Sequence, residues 1–268
     1  MLRDNRIVDQ LRRDWERAGS TLVFTVANFG HAELALNLAL SCRAWGISIA
    51  VFALDDQTTR YLSGLVPVYP VPASMLLAAS HAIGIGEADF GTADFRPLTW
   101  ARYGIVNGLL KEGFSPVYLD TDVVVRGDLL KAFREIWAQY SDANTLVQQN
   151  IRGAACMGVF SVCSAARDAW QKIFHESELE RHDYASIGGS MDQRYFNKVV
   201  LPSKEYDLRV RFLPQDKFPT GSFMRDNMDL VREQAALIHY NGVVGIAEKI
   251  LEMRTNGDWF LGDRSMVF

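Results

Sequence analysis

The segment Pro116–Asp128, Pro-Val-Tyr-Leu-Asp-Thr-Asp-Val-Val-Val-Arg-Gly-Asp, constrains the fold more than any other stretch of the chain. Val117, Tyr118 and Leu119 form a short apolar run of the kind found in strands buried on both faces. That run delivers two carboxylates, Asp120 and Asp122, at its carboxyl end, the edge at which open α/β sheets bind ligands. A second apolar run, Val123–Val125, follows at once, and carboxylates held between two buried strands are costly without a counter-charge. Two Asp side chains one residue apart can turn toward one hard cation where the backbone bends between them, leaving coordination positions for phosphate oxygens. The spacing alone is common, and a solvated strand-to-strand turn is the plainer alternative, so the surrounding chain has to decide.

Around this segment apolar strands alternate with amphipathic helices. Thr21–Ala27 reads as the first core strand, followed by Asn28-Phe29-Gly30 and a helix over His31–Trp45. Backbone N–H groups at such a turn can contact a nucleotide and Asn28 can hydrogen-bond a base or ribose; an ordinary turn with Asn as helix cap is equally consistent. Ile47–Leu54 reads as a second strand ending in Asp55-Asp56, where an acidic residue can bind a nucleoside or, the safer reading, cap the next helix. Val66–Pro97, with three prolines early and three glycines late, is an insertion of the lid or surface-loop kind. Helical spacing returns over Thr99–Lys111, interrupted by Arg102, whose guanidinium could neutralise a diphosphate or pair with a nearby carboxylate. Asp128 reads as the cap of a helix Leu129–Tyr140.

Thr145–Gln148 and Met157–Val162 are two further strands, Ala165–Glu176 is a helix, and Val210–Leu213 is a strand followed by a turn-rich stretch to Phe223. Between them Ser186–Asn197 combines a glycine bend with Asp192 and Gln193 at a helix start, a place where side chains can face a ligand or merely cap the helix. In Ala236–Lys249 an apolar strand presents His239, Asn241-Gly242 makes a turn, and a helix beginning near Gly245 carries Lys249. A neutral imidazole ligates Mn²⁺, and a helix amino terminus with an ammonium suits phosphate. The amino-terminal stretch, with Ile7, Leu11 and Trp15 on one face, reads as an outer helix within residues 1–20.

At 268 residues the chain can bury a large core and is read as one domain. A net charge of −4 gives no general attraction to nucleic acid or an anionic membrane. Cys42, Cys156 and Cys163 lack metal-binding spacing and suggest reduced thiols, and the charged start of the chain resembles neither a leader nor an anchor; together these lead to an expected cytoplasmic location without membrane insertion.

Taken together, Thr25–Gly30, Arg102, Asp120-Thr121-Asp122, Asp192-Gln193 with Asn197, and His239–Lys249 resemble a GT-A fold glycosyltransferase of the nucleotide-diphospho-sugar transferase family (family 77-like), with motifs shared by the glycogenin-like family 8. Lys249 lies ten residues after His239, outside the tighter His-x-x-Gly-x-x-Lys ending of glycogenin-like proteins. The resemblance implies a Rossmann-like α/β domain with a mixed, mostly parallel sheet, and a metal-dependent retaining transfer of sugar from a nucleotide-diphosphate donor, expected to be UDP-linked. It implies Mn²⁺ or Mg²⁺ held by Asp122 and His239, with Asp120 on the metal or the ribose. Thr25, Ala27, Asn28 and Asp55 would bind the nucleoside. Arg102 and Lys249 would offset the diphosphate, aided by Thr121, Asn241 and Gly242, and Asp192 and Gln193 would act beside the sugar. The acceptor, a glycan, protein or small molecule, would be read by the variable segments 66–97 and 184–223. Two alternatives stay open. A sugar-nucleotide-forming nucleotidyltransferase usually has a Gly-rich basic loop that Asn28-Phe29-Gly30-His31 lacks, and a non-catalytic nucleotide-sugar binding module would not need the Asp120, Asp122 and His239 set.

Overall fold

The computed structural model describes residues 2–15, 21–72, 75, 95–150, 152–185 and 192–262. Its centre is a seven-stranded sheet made of β1 (Thr21–Ala27), β2 (Ala50–Ala53), β3 (Val68–Pro70), β4 (Ser115–Leu119), β6 (Thr145–Gln149), β7 (Ala155–Val162) and β8 (Val210–Leu213). The strand order is β3-β2-β1-β4-β7-β6-β8. Only β7 runs against the others, pairing antiparallel with both β4 and β6, while β1 pairs parallel with β2 and β4 and β6 pairs parallel with β8. The sheet is therefore mixed and mostly parallel, as the alternation of apolar strands and helices predicts. Two short strands, β5 (Val123–Val125) and β9 (Leu237–His239), form a separate antiparallel pair beyond the end of β4.

Period-two alternation sorts the strand side chains between two cores. Leu22, Phe24, Tyr118 and Phe160 face a layer containing α1 (Leu2–Trp15), α4 (Phe95–Lys111) and α6 (Arg167–Ala185), with Trp100, Tyr103 and Trp170 filling it. Val23, Val117 and Leu119 face the other side with Leu38 of α2 (Ala32–Ala44) and Phe133 of α5 (Leu129–Gln139). A row of rings crosses the first core, with centroids 5.2 Å apart for Phe24 and Tyr118, 5.1 Å for Tyr118 and Phe160, and 5.6 Å for Phe160 and Trp170. That row holds the ring of Tyr118 and so fixes where its hydroxyl emerges.

Several elements differ in extent from the sequence reading. Helix α4 begins four residues before Thr99, and α6 runs past Glu176 to Ala185. Asp55 caps α3 (Asp56–Leu62) by accepting Thr58 N–H, and Asp128 caps α5 by accepting Lys131 N–H. The stretch after β8 contains two short helices that periodicity does not reveal, α8 (Gly221–Asp226) and α9 (Met228–Gln234), since so few turns offer no repeating apolar stripe. Leu11 and Trp15 of α1 are buried as the amphipathic pattern predicts, and Asp14 accepts the Tyr69 hydroxyl at 2.6 Å. The glycine bend at 186–191 and most of the 66–97 insertion lie outside the described residues. Among the described residues no helix is long and apolar enough to cross a membrane.

Candidate functional site

Chain reversal after β4 is what builds the site. Leu119 ends the strand, Val123 N–H returns to Asp120 carbonyl, and β5 then pairs with β9 so that Val123 stands opposite His239. Asp122 and His239 are thereby brought together from positions more than a hundred residues apart, with Tyr240 N–H donating to the Asp122 carbonyl at 2.9 Å. His239 Nε2 lies 3.2 Å from Asp122 Oδ1 and 3.7 Å from Asp120 Oδ2. Ligating atoms of Asp120, Asp122 and His239 all fall within 4.8 Å of one another.

The two carboxylates differ in how they are held. Asp120 Oδ1 accepts the Tyr118 hydroxyl at 2.6 Å and Arg102 Nη1 at 3.2 Å, which turns Oδ2 toward His239. Asp122 is more deeply buried and accepts Lys249 Nζ on Oδ2 at 2.6 Å. Burial by itself would raise the Asp122 carboxyl, but Lys249 and His239 outweigh it and hold it well below the usual carboxylate range. Burial would likewise lower His239, yet the Asp122 charge outweighs it and pushes the imidazole up. Lys249 and His239 thus both bear on Asp122.

Arg102 is almost wholly buried and is engaged by the protein at the wall of a cavity. Its Nε donates to Thr99 carbonyl at 2.8 Å and stands 3.0 Å from Asp192 Oδ2, Nη1 also donates to Met157 carbonyl, and the guanidinium lies 4.7 Å from the Tyr118 ring centroid. The contact with Asp192 is ionic rather than an aligned hydrogen bond, since Oδ2 of that residue has no hydrogen-bond partner. Burial raises the Asp192 carboxyl to about 6, with Arg102 opposing the rise and Asp120 adding to it. Gln193 Oε1 accepts Met157 N–H at 3.2 Å.

These groups open on one cavity of about 380 Å³. Asp120, Thr121, Asp122 and His239 line it, as do Arg102, Asp192 and Gln193 on one side and Asn241, Gly242 and Lys249 on another. Ala27 and Asn28 line it from the end of β1, and His31 joins them with Nδ1 2.7 Å from Asn28 Oδ1. Thr25 and Asp55 are not part of this lining. Thr25 is fully buried two positions before Ala27 in β1, and Asp55 Oδ2 accepts Phe29 N–H at 2.8 Å, supporting the turn behind Asn28. Asn241 has its amide engaged on both ends, Oδ1 by Gly221 N–H at 2.8 Å and Nδ2 on Cys156 Sγ at 3.4 Å. Gly245, with φ of 93°, turns the chain into α10 (Ile246–Thr255) in the left-handed region where a side chain is strained; as N-cap it offers no side chain, and the Glu248 carboxylate folds back beside it. Gly245 and Ile246 line the cavity, so the helix amino terminus opens onto it.

The site fits a divalent cation. Two carboxylates and an imidazole supply two oxygens and one nitrogen, a donor set suited to Mn²⁺ or Mg²⁺, and Gly158 of β7 keeps the space between them. A Cβ at Gly158 would stand 2.5 Å from Asp120 Oδ2 and 2.1 Å from His239 Cε1. Gly158, Tyr118, His31, Asn150 and Gln148 are participants that the sequence reading did not single out. Gly158 falls within the strand read over Met157–Val162, and the role of a glycine there depends on which strands lie opposite.

A profile of the nucleotide-diphospho-sugar transferase family matches residues 48–253, well over half of the chain. Curated protein sequences gave no match. Among solved structures, the galactosyltransferase LgtC in complex with donor and acceptor sugar analogues is similar with a TM-score of 0.56 and 16% identity, over 82% of this chain and 87% of that one. Mouse xyloside xylosyltransferase 1 is similar with a TM-score of 0.55 and 10% identity, over 83% of this chain and 98% of that one. The bifunctional glycosyltransferase WbbM aligns with a TM-score of 0.54 and 14% identity over 87% of this chain, which spans 49% of the WbbM chain. At these identities the structural likeness speaks for the GT-A fold, and the profile match speaks for the family. With its site residues collected at the carboxyl edge of that sheet, the chain belongs to the nucleotide-diphospho-sugar transferase family of GT-A glycosyltransferases.

Proposed function

We propose that this protein transfers a sugar, with retention of configuration, from a UDP-linked donor to an acceptor, using Mn²⁺ or Mg²⁺. The observation that carries the reading is the meeting of Asp120, Asp122 and His239 with Lys249 and the start of α10 in one cavity. Asp122 and His239 would hold the cation with Asp120 Oδ2, and the cation would supply charge stabilisation to the departing diphosphate. Lys249, released from Asp122, would turn to the diphosphate beside the N–H groups at the start of α10. Ala27 and Asn28 would meet the nucleoside, with Asp55 bracing the turn behind them and Thr25 packing beneath.

Arg102 is better placed to hold Asp120 and Asp192 in position than to touch the diphosphate directly, because all its described contacts lie on the protein side. With its oxygen taken by Met157 N–H, Gln193 would offer its amide NH₂ group to a sugar hydroxyl. Asp192, held beside Arg102, and Gln193, with its oxygen engaged, are both poorly poised as nucleophiles. That favours attack by the acceptor on the face from which the diphosphate leaves. The acceptor would be read by segments 66–97 and 184–223. Incubation with a panel of UDP-, GDP- and TDP-sugars and Mn²⁺ should release UDP from one UDP-sugar, and chelation should stop the release. Release that is insensitive to chelation, or absent with every donor, would sink the proposal.

Exchange of partners by Lys249 gives a second expected result. Lys249→Met should weaken UDP binding in the presence of Mn²⁺ by about tenfold or more, the range of a lost charge-assisted hydrogen bond. Binding of Mn²⁺ alone should be unchanged or tighter, because the ammonium no longer competes for Asp122 Oδ2. Calorimetric titration of each ligand separates the two; equal losses for both would mean that Lys249 only shapes the site.

A further inference from the structure

Gln148 is fully buried near the end of β6, and its amide reaches the far side of the His239 ring from the two carboxylates. It gets there because the pairing of β6 with β7 shifts register between Val147 and Gln148, so that Val147 stands opposite Phe160 and Gln148 opposite Cys156. The amide nitrogen donates to the carbonyls of Phe218 and Pro219, each at 3.0 Å. The amide oxygen lies 2.7 Å from His239 Nδ1. Amide orientation is often ambiguous, but here the main chain settles it: inverted, the amide would set its oxygen against two carbonyl oxygens. Oε1 must therefore face His239, and the ring nitrogen beside it must be the one that bears hydrogen. Nε2 then carries the electron pair available to a cation, on the side of Asp122 Oδ1 and Asp120 Oδ2. The other neighbour of Nδ1 is Cys156 Sγ at 3.8 Å, a weak acceptor.

We propose that Gln148 is a positioning residue that fixes His239 in its Nδ1–H form and thereby makes Nε2 the nitrogen that ligates the cation. The amide does here what a carboxylate or backbone carbonyl does behind many metal-bound histidines. Because the same amide ties down Phe218 and Pro219, and Thr220 bridges to His239, the segment leading into α8 is locked to the histidine as well. The inference rests on the reading of Asp120, Asp122 and His239 as a cation site.

The test uses the full chain, Mn²⁺ and Mg²⁺ as probes, and no turnover. Gln148→Met keeps the volume but neither donates nor accepts through an amide, and should weaken Mn²⁺ binding about 10- to 100-fold by electron paramagnetic resonance titration. In the Mg²⁺-loaded wild type, ¹⁵N spectra of the imidazole should show Nδ1 protonated and hydrogen-bonded; in Gln148→Met the Nδ1–H signal should shift and exchange faster with solvent as its acceptor is lost. Gln148→Glu, protonated on the oxygen that faces the Phe218 and Pro219 carbonyls, keeps a donor toward them and an acceptor for Nδ1–H, so it should retain the Nδ1–H signature and bind Mn²⁺ far better than Gln148→Met; it also decides the matter if the Met variant does not fold. Wild-type Mn²⁺ affinity in Gln148→Met with the Nδ1–H signal unchanged, or loss of the signature in a folded Gln148→Glu, overturns the role of Gln148 alone. Absence of Mn²⁺ binding by the wild-type chain overturns the cation site, and this inference with it.

Discussion

On the proposed reading, Asp122→Ala should abolish Mn²⁺-dependent donor binding and lower transfer by on the order of 10³-fold or more, the loss of roughly 4 kcal/mol of charge stabilisation at the departing diphosphate. Asp122 is the residue on which the cations of the site converge: His239 Nε2 lies 3.2 Å from one oxygen and Lys249 Nζ 2.6 Å from the other. Its removal leaves an imidazole and an ammonium without the charge that holds them together. The backbone is untouched, because Tyr240 N–H bonds to the carbonyl of residue 122 and β5 still pairs with β9. Circular dichroism of the variant should therefore match the wild type while calorimetry with Mn²⁺ and UDP shows no binding. Asp120→Ala should weaken Mn²⁺ less, since Oδ1 of that residue is committed to Tyr118 and Arg102 and only Oδ2 faces the histidine. Mn²⁺-dependent turnover at the wild-type rate in Asp122→Ala would refute the assignment.

If the three ligands hold Mn²⁺ as proposed, Gly158→Ala should weaken its binding about 100-fold, the upper range for a disturbed metal-ligand shell, though it adds one methyl group and no charge. The added Cβ would meet His239 Cε1 at 2.1 Å, Asp120 Oδ2 at 2.5 Å and His239 Nε2 at 2.8 Å, well inside contact distance. The histidine cannot draw back, because Gln148 holds its other nitrogen and β9 is fixed against β5. Asp120 cannot rotate away without giving up Tyr118 and Arg102. The ligands must therefore separate, with an overpacking cost to stability of about 1–3 kcal/mol. Mn²⁺ titration together with thermal unfolding checks both effects, and wild-type affinity would show that the ligand set tolerates the methyl group.

Much of the scaffold was legible in the residues. The strands around Val117–Leu119, Thr21–Ala27 and Met157–Val162 appear as apolar runs because a strand in a central sheet is buried on both faces. Asp55 and Asp128 could be read as caps, since capping is decided within three residues. The convergence of Asp120, Asp122 and His239 was anticipated only through the resemblance to the nucleotide-diphospho-sugar transferases, since no local pattern joins residues so far apart. Arg102 was harder to place: its position on a largely apolar helix was visible, but not that it would be enclosed by Asp120, Asp192 and two main-chain carbonyls. Gln148 gave no signal at all, as a glutamine in a short strand looks the same whether it meets solvent or a histidine. The helices α8 and α9 escaped notice because each is too short to repeat its apolar positions.

By itself, then, the sequence determined the elements, their caps, their buried faces and the delivery of two carboxylates to a strand end, because each depends on residues a few positions apart. The tertiary structure alone decided which charges meet. Pairing of Lys249 with Asp122, the placing of Arg102 between Asp120 and Asp192, the space kept by Gly158 and the ring nitrogen of His239 that faces the carboxylates all follow from strand register across distant parts of the chain. A slip of one residue in β5 against β9 would turn His239 to the opposite face, and no local pattern records which register wins.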